Sequence, residues 1–239
     1  NDAILFTGEN GSLYQPVYGT DDDLVLYLPF SENLINVSNT TYDRSPYGND
    51  GTLSGGMNSG NASQNGTWVT GKYGYAMEFN GYDDYVSVAD SDNWNFGNNS
   101  YSIAMWVNPN ENKDYSPLIG QNGEWHFTLN QGVPYFWTSS SFAGNDHNFV
   151  DSTVPTGVWS HIAFVRSNGV TSVYLNGIAG STPDDINGWY DATADLVMGI
   201  GTSVERRFNG AIDEVMVYKR ALAPEEIRTH YLRGSGHGA

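Results

Sequence analysis

Asp213 and Glu214 sit side by side within the apolar stretch FNGAIDEVMVYKRALAPEEI, residues 208–227. A buried strand excludes paired carboxylates unless something compensates their charge. They therefore belong either at its solvent-facing end or against a positive group. A second oxygen-rich cluster lies in YDRSPYGNDGTLSG, residues 42–55, where Asp43, Ser45, Asn49 and Asp50 fall in a glycine-punctuated turn. Carboxylates and turn carbonyls are the hard donors that Ca²⁺ takes in sets of six to eight. The same residues also suit an Asx-type turn, in which Asp43 accepts backbone N–H bonds. No acids stand between 43 and 49, so the segment is not an EF-hand loop.

A third set is aromatic. Sugars lay their apolar faces on Trp and Tyr while polar neighbours take the hydroxyls. Trp125, Tyr135 and Trp137, the segment 139–149 with Asp146 and His147, and INGWYDATAD at 186–195 with Trp189 and Tyr190 offer that mixture. Trp125 and Trp137 also fit a core, whereas Trp189-Tyr190, flanked by Gly and Asp, reads as exposed.

Other chemistry is poorly supported. GTWVTGKY, residues 66–73, approaches a phosphate-binding loop, but Tyr73 replaces the required hydroxyl and no helix signal follows. The histidines at 126, 147, 161, 230 and 237 lack H-E-x-x-H spacing, and no G-x-S-x-G elbow occurs. His161 alternates with Trp159 and Ala163 along a strand and reads as a packing residue. With 27 acids, a carboxylate pair of glycosidase type arises too easily to be informative. The net charge of −17 repels phosphate backbones, so nucleic acid is not an expected partner. The absence of cysteine removes disulfide and thiolate-metal scaffolds. N-x-S/T sequons at Asn10, Asn36, Asn39, Asn61, Asn65 and Asn98 cluster in turn-like segments, favouring an exposed, extracellular or cell-surface setting. No apolar run reaches 18 residues, so no membrane span is expected.

The elements that must position these groups are strands. LVLYLPF alternates Leu24, Leu26, Leu28 and Phe30 on one face, and YSIAMWVNP alternates Tyr101, Ile103, Met105 and Val107. WSHIAFVRSNGVTSVYLNG reads as a hairpin around Asn168-Gly169, with a second Asn-Gly at 176–177. Strand signals recur about every ten residues, the spacing of a sandwich or jelly roll. LAPEEIRTHYLR is a short helix, with Pro224 in its first turn, early acids, later arginines, and Leu222, Ile227 and Tyr231 turned inward. Residues 1–20 form an extension, 21–233 the domain and 234–239 a tail.

Six fragments run in order: D-x-S-x-x-G-N-x-G from Asp43, G-K-x-G-x-A-x-x-F-N-G from Gly71, S-I-x-M-W-V, W-x-H-I-A, V-Y-L-N-G, and G-x-I-D-E-V-x-V-Y-x-R-A-L from Gly210. Together, from about Leu24 to Leu232, they resemble the laminin-G-like, concanavalin A-like lectin/glucanase superfamily, especially its pentraxin-like modules. The resemblance implies an all-β, two-sheet antiparallel jelly roll that binds glycans or surfaces outside the cell without catalysis. It also implies calcium, held by Asp43, Asn49 and one of Asp213 or Glu214. Two alternatives remain. One is a subunit of a surface filament or layer, built from copies joined through the β-prone residues 1–8. The other is a polysaccharide hydrolase or lyase.

Overall fold

The computed structural model describes residues 21–31, 39–55, 68–121, 125–138, 146–148, 153–180, 193–201 and 206–235. The strands, numbered along the chain, form two antiparallel sheets. The first contains β1 (Leu24–Leu28), β4 (Trp68–Thr70), β5 (Tyr75–Asn80), β7 (Tyr101–Pro109), β12 (Ser160–Ser167), β13 (Val170–Leu175), β14 (Ile178–Ala179) and β16 (Asn209–Tyr218). The second contains β2 (Thr40–Thr41), β3 (Gly51–Ser54), β6 (Tyr85–Val88), β8 (Ser116–Gln121), β9 (Trp125–Asn130), β10 (Val133–Thr138), β11 (Asp146–Asn148) and β15 (Leu196–Met198). The order is β14-β13-β12-β7-β16-β5-β4 in the first, with β1 also on β16, and β11-β10-β9-β8-β15-β6-β3-β2 in the second. This is the expected jelly-roll sandwich.

The core lies between the sheets. Ile103, Met105, Val107, Val215 and Val217 all enter it fully buried, as the alternation requires. Phe127 of β9 stacks on Phe164 of β12 at a centroid separation of 3.9 Å, which joins the two layers. Asn168 and Gly169 take φ of 50° and 86° between the paired residues Ser167 and Val170, so the predicted tight hairpin forms. The Asn80-Gly81 turn differs from a hairpin, because it hands the chain from β5 in one sheet to β6 in the other.

Leu24 departs from the expected face. Leu26, Leu28 and Phe30 enter the inter-sheet core, but Leu24 packs in a separate cluster with Tyr27, Tyr218, Leu222 and Ile227. The register of β1 on β16 shifts between Leu24 and Leu26. An extra residue in one strand flips the alternation beyond it.

Helix α1 (Pro224–Ser235) lies against the outer side of the first sheet, where Ile227 is fully buried and Tyr231 stacks on Trp106 at 5.8 Å. Glu226 accepts the Ala223 N–H at 2.7 Å, one half of a capping box. Arg220 bridges Asp21 at 2.6 Å and Glu226 at 2.7 Å, tying the helix start to the head of the domain.

Candidate functional site

Three clusters carry the polar chemistry, beginning with Asp213-Glu214. On one side β16 pairs with β7, and the register shifts between Asp213 and Met216. On its other side β5 covers Asn209–Ile212 and β1 covers Val215–Tyr218. The two acids fall in the seam where one neighbour ends and the next begins. Glu214 takes φ of 52°, a left-handed conformation inside a strand. The bulge turns both side chains toward the outer layer. Asp213 lies opposite Trp106, and its Oδ2 accepts the Tyr73 N–H at 3.0 Å. The Tyr27 hydroxyl donates to Glu214 Oε2 at 2.7 Å.

The pair is shut off from solvent, and among the described residues no cation is paired with it. Asp213 is 0% and Glu214 3% exposed, and the Lys72 ammonium sits over the Trp106 ring at 4.6 Å. Asp213 Oδ1 and Glu214 Oε1 have no hydrogen-bond partner. Burial pushes the Glu214 carboxyl up to about 7, against the Tyr27 bond that lowers it. Burial, and then the charge of Glu214, raise Asp213 well above the carboxylate range. Burial thus favours the protonated form of both carboxyls, and the Tyr73 N–H and Tyr27 hydroxyl supply donors to the oxygens they reach.

Asp43 is occupied otherwise. Its Oδ1 accepts N–H bonds from Tyr27 and Ser45, each at 2.8 Å. Its Oδ2 accepts the Ser45 hydroxyl at 2.6 Å and the Asn49 N–H at 2.8 Å. The Asn49 side-chain amide donates to the Val25 carbonyl at 2.8 Å. This is the Asx-type turn. The residues do not fit the shared cation of the calcium expectation, because both Asp43 oxygens already face hydrogen donors. Among the described residues no three His, Cys, Asp or Glu side chains converge on a point.

The aromatic candidates divide. Trp125 is buried in the core, its Nε1 donating to Gln121 Oε1 at 2.8 Å, and offers no face to a ligand. Tyr135 is also buried, edge-on to Tyr115 at 5.3 Å, and the Arg206 guanidinium covers Tyr115 at 4.5 Å. Tyr135 thus supports the half-buried Tyr115 and Arg206. Neither of these stood among the sequence candidates, because only the fold joins residues 115, 135 and 206. Arg207 donates from Nε to the carbonyl of Tyr82 at 3.2 Å, and the Tyr82 side chain is 79% exposed. Two arginines and two tyrosines thereby gather at one end of the second sheet.

Strand register carries that face toward β11. Trp137 pairs with His126 on one side and Asp146 on the other, and His147 pairs with Phe136. His126 is buried, and burial followed by the charge of Arg206 lowers it to about 4, so its ring is neutral near pH 7. Trp189 and Tyr190 lie outside the described residues, as do residues 1–8 and sequons Asn10, Asn36, Asn61 and Asn65. Asn39 and Asn98 are exposed. His161 is the expected packing residue, buried against Trp106 at 5.3 Å.

Two facing antiparallel sheets with the hydrophobic core between them define a lectin-type jelly roll. Residues 80–228 match the laminin-G-type model of the concanavalin A-like lectin/glucanases superfamily, and the chain belongs to that superfamily. Among solved structures it is similar to domain 4 of AbnA, an extracellular GH43 arabinanase from Geobacillus stearothermophilus, determined in complex with arabinotriose. The identity is 26% and the TM-score 0.62, over 87% of this chain and 97% of that one. The fold is shared with the binding domain of Paraclostridial Mosquitocidal Protein 1, at 17% identity and TM-score 0.66 over 89% of this chain. It is also shared with the botulinum neurotoxin serotype D/C binding domain, at 13% identity and TM-score 0.65 over 90% of this chain. The chain spans about half the length of these two toxin domains. No helix among the described residues is long and apolar enough to cross a membrane.

Proposed function

We propose that this chain is a non-catalytic module that binds neutral glycans outside the cell, with Tyr115, Arg206 and Tyr82 forming its contact surface. The observation that carries the reading is the likeness to AbnA domain 4. It extends over nearly all of both chains, and that domain was determined with arabinotriose bound. The chemistry of the cluster agrees. Tyrosine faces take the C–H side of a sugar, and a guanidinium fork donates to its hydroxyls.

Titration calorimetry with arabinotriose and longer arabino-oligosaccharides tests this. Binding should weaken at least about tenfold in Tyr115→Ala and in Arg206→Ala, the scale of a lost stacking or charge-assisted contact. No binding to any oligosaccharide would overturn the reading, and release of reducing ends would replace it with an enzyme.

A further inference from the structure

The Asp43 turn holds more than its own backbone. Tyr42 and Tyr47 flank it, 40% and 39% exposed, so both rings reach solvent. Tyr47 is pinned: its hydroxyl donates to the Asp22 carbonyl at 2.7 Å, and its N–H donates to Ser45 Oγ at 3.2 Å. The Lys219 ammonium covers the Tyr47 ring at 4.9 Å, and the Arg44 guanidinium lies 5.8 Å from the centre of the Tyr42 ring. Backbone bonds fix both cations to the frame, from Arg44 N–H to the Tyr27 carbonyl and from Lys219 N–H to the Asp23 carbonyl, each at 2.8 Å. With the four bonds to Asp43 carboxylate oxygens, the turn presents two aromatic rings that need no ordering when a ligand arrives.

Strand register places this turn relative to the first site. Gly51, Val88, Leu196 and Gln121 lie in line across the second sheet, at the end where the Tyr42–Asp50 turn enters β3. Ser54 pairs with Tyr85 at the other end, beside Tyr82, and Tyr115 precedes β8 at that same end. The two aromatic groups therefore stand at opposite ends of one sheet. The length of β6 alone separates them by about 10 Å, at roughly 3.4 Å per residue.

We propose that Tyr42 and Tyr47, with Arg44 and Lys219, form a second glycan contact, so that one polysaccharide strand engages both ends of the second sheet. This rests on the glycan reading above. The ligand is a neutral polysaccharide. Rings and donors recognise sugar faces and hydroxyls, while Asp21, Asp22, Asp23 and Asp50 beside the turn, in a chain of net charge −17, repel polyanions. Two weak contacts on one strand raise each other's effective concentration, so a polymer gains affinity that a trisaccharide does not.

The test compares linear arabinan with arabinotriose, by depletion isotherms and calorimetry, on the full chain and on Tyr42→Ala/Tyr47→Ala. Tyr47→Phe keeps the ring but frees it from the Asp22 carbonyl, so its polymer affinity should fall between those of the parent and the double variant. The double variant should keep its trisaccharide affinity and lose at least about tenfold on the polymer. Equal polymer affinity in parent and double variant overturns the second contact and leaves the glycan reading standing. Loss of trisaccharide binding in the double variant, with Tyr115→Ala unaffected, overturns the two-ended arrangement. Preference for polygalacturonate over arabinan overturns the neutral class. Failure of the parent to bind either probe removes the glycan reading, and this inference with it.

Discussion

Replacing Glu214 by Gln should change how stability depends on pH. The Glu214 carboxyl rises from its ordinary 4.5 to about 7 because it is buried. Between those values the folded chain keeps a proton that the unfolded chain has lost. Unfolding then releases a proton, so the Glu214 contribution to stability is complete below about pH 4.5, falls as pH rises, and is lost above about 7. At 1.36 kcal/mol for each tenfold change in proton affinity, the difference is on the order of 3 kcal/mol. Solvent screening takes little from it, since only 3% of the residue is exposed.

Glutamine keeps an acceptor for the Tyr27 hydroxyl and carries no ionisable proton. Its stability should lose that share of the slope and the part of the Asp213 share that comes from the Glu214 charge, while retaining the part that comes from the burial of Asp213. Urea unfolding followed by tryptophan fluorescence, from pH 4.5 to 8, measures the gap between parent and variant. The gap should shift by about 3 kcal/mol in favour of Glu214→Gln as pH rises. Parallel curves would refute the assignment and mean that Glu214 is ionised in the fold.

Three further outcomes follow from other sites. Burial, and then the neighbouring His230, hold His161 down at about 3, so acid favours the unfolded chain; between pH 6.5 and 5, His161→Phe should abolish about 2 kcal/mol of stability loss in urea titrations. Gly71→Ala should lower stability by about 1–3 kcal/mol in the same titrations, because the new Cβ would lie 2.6 Å from both Asp213 Oδ2 and the Tyr75 carbonyl. Excess EGTA should leave the melting temperature unchanged in scanning calorimetry, since hydrogen donors already fill Asp43; a drop with bound calcium in elemental analysis would restore the cation reading.

The parts legible from sequence are those whose signals are local. Asn168-Gly169 demands left-handed backbone, and the β-rich runs beside it supply the two strands. Pro224 with early acids marks a helix start, and Ile227 marks its buried side. The buried face of β7 follows from strict alternation through Val107. The misread face of Leu24 and the seam at Glu214 both involve bulges, which cost one residue of register and have no composition of their own. Val25 shifts β1, and Glu214 shifts β16, yet neither is a glycine or an asparagine that would announce the turn. Trp125 illustrates a different limit. An aromatic on an alternating strand has equal claim to either sheet face until the partner strands are known. Tyr115 and Arg206 were invisible for the related reason that their contact depends on chain segments ninety residues apart.

The seam at Asp213-Glu214 gives a physical reason for carboxyls in so apolar a strand. Where β5 ends and β1 begins beside β16, the ladder is interrupted, and side chains fasten the flanking segments there. One carboxyl holds the Tyr73 backbone of the β4–β5 turn, and the other holds Tyr27 of β1. An amide at either position would also accept those bonds, but its two N–H donors would need partners in a dry site, whereas a protonated acid carries a single donor. Asp43 does the corresponding work at the half-exposed head of β1, where its two oxygens accept four hydrogen bonds. Acidic side chains therefore serve as fasteners both in the buried seam and at the half-exposed rim. The rim fastening is the one that keeps Tyr42 and Tyr47 in place and facing solvent.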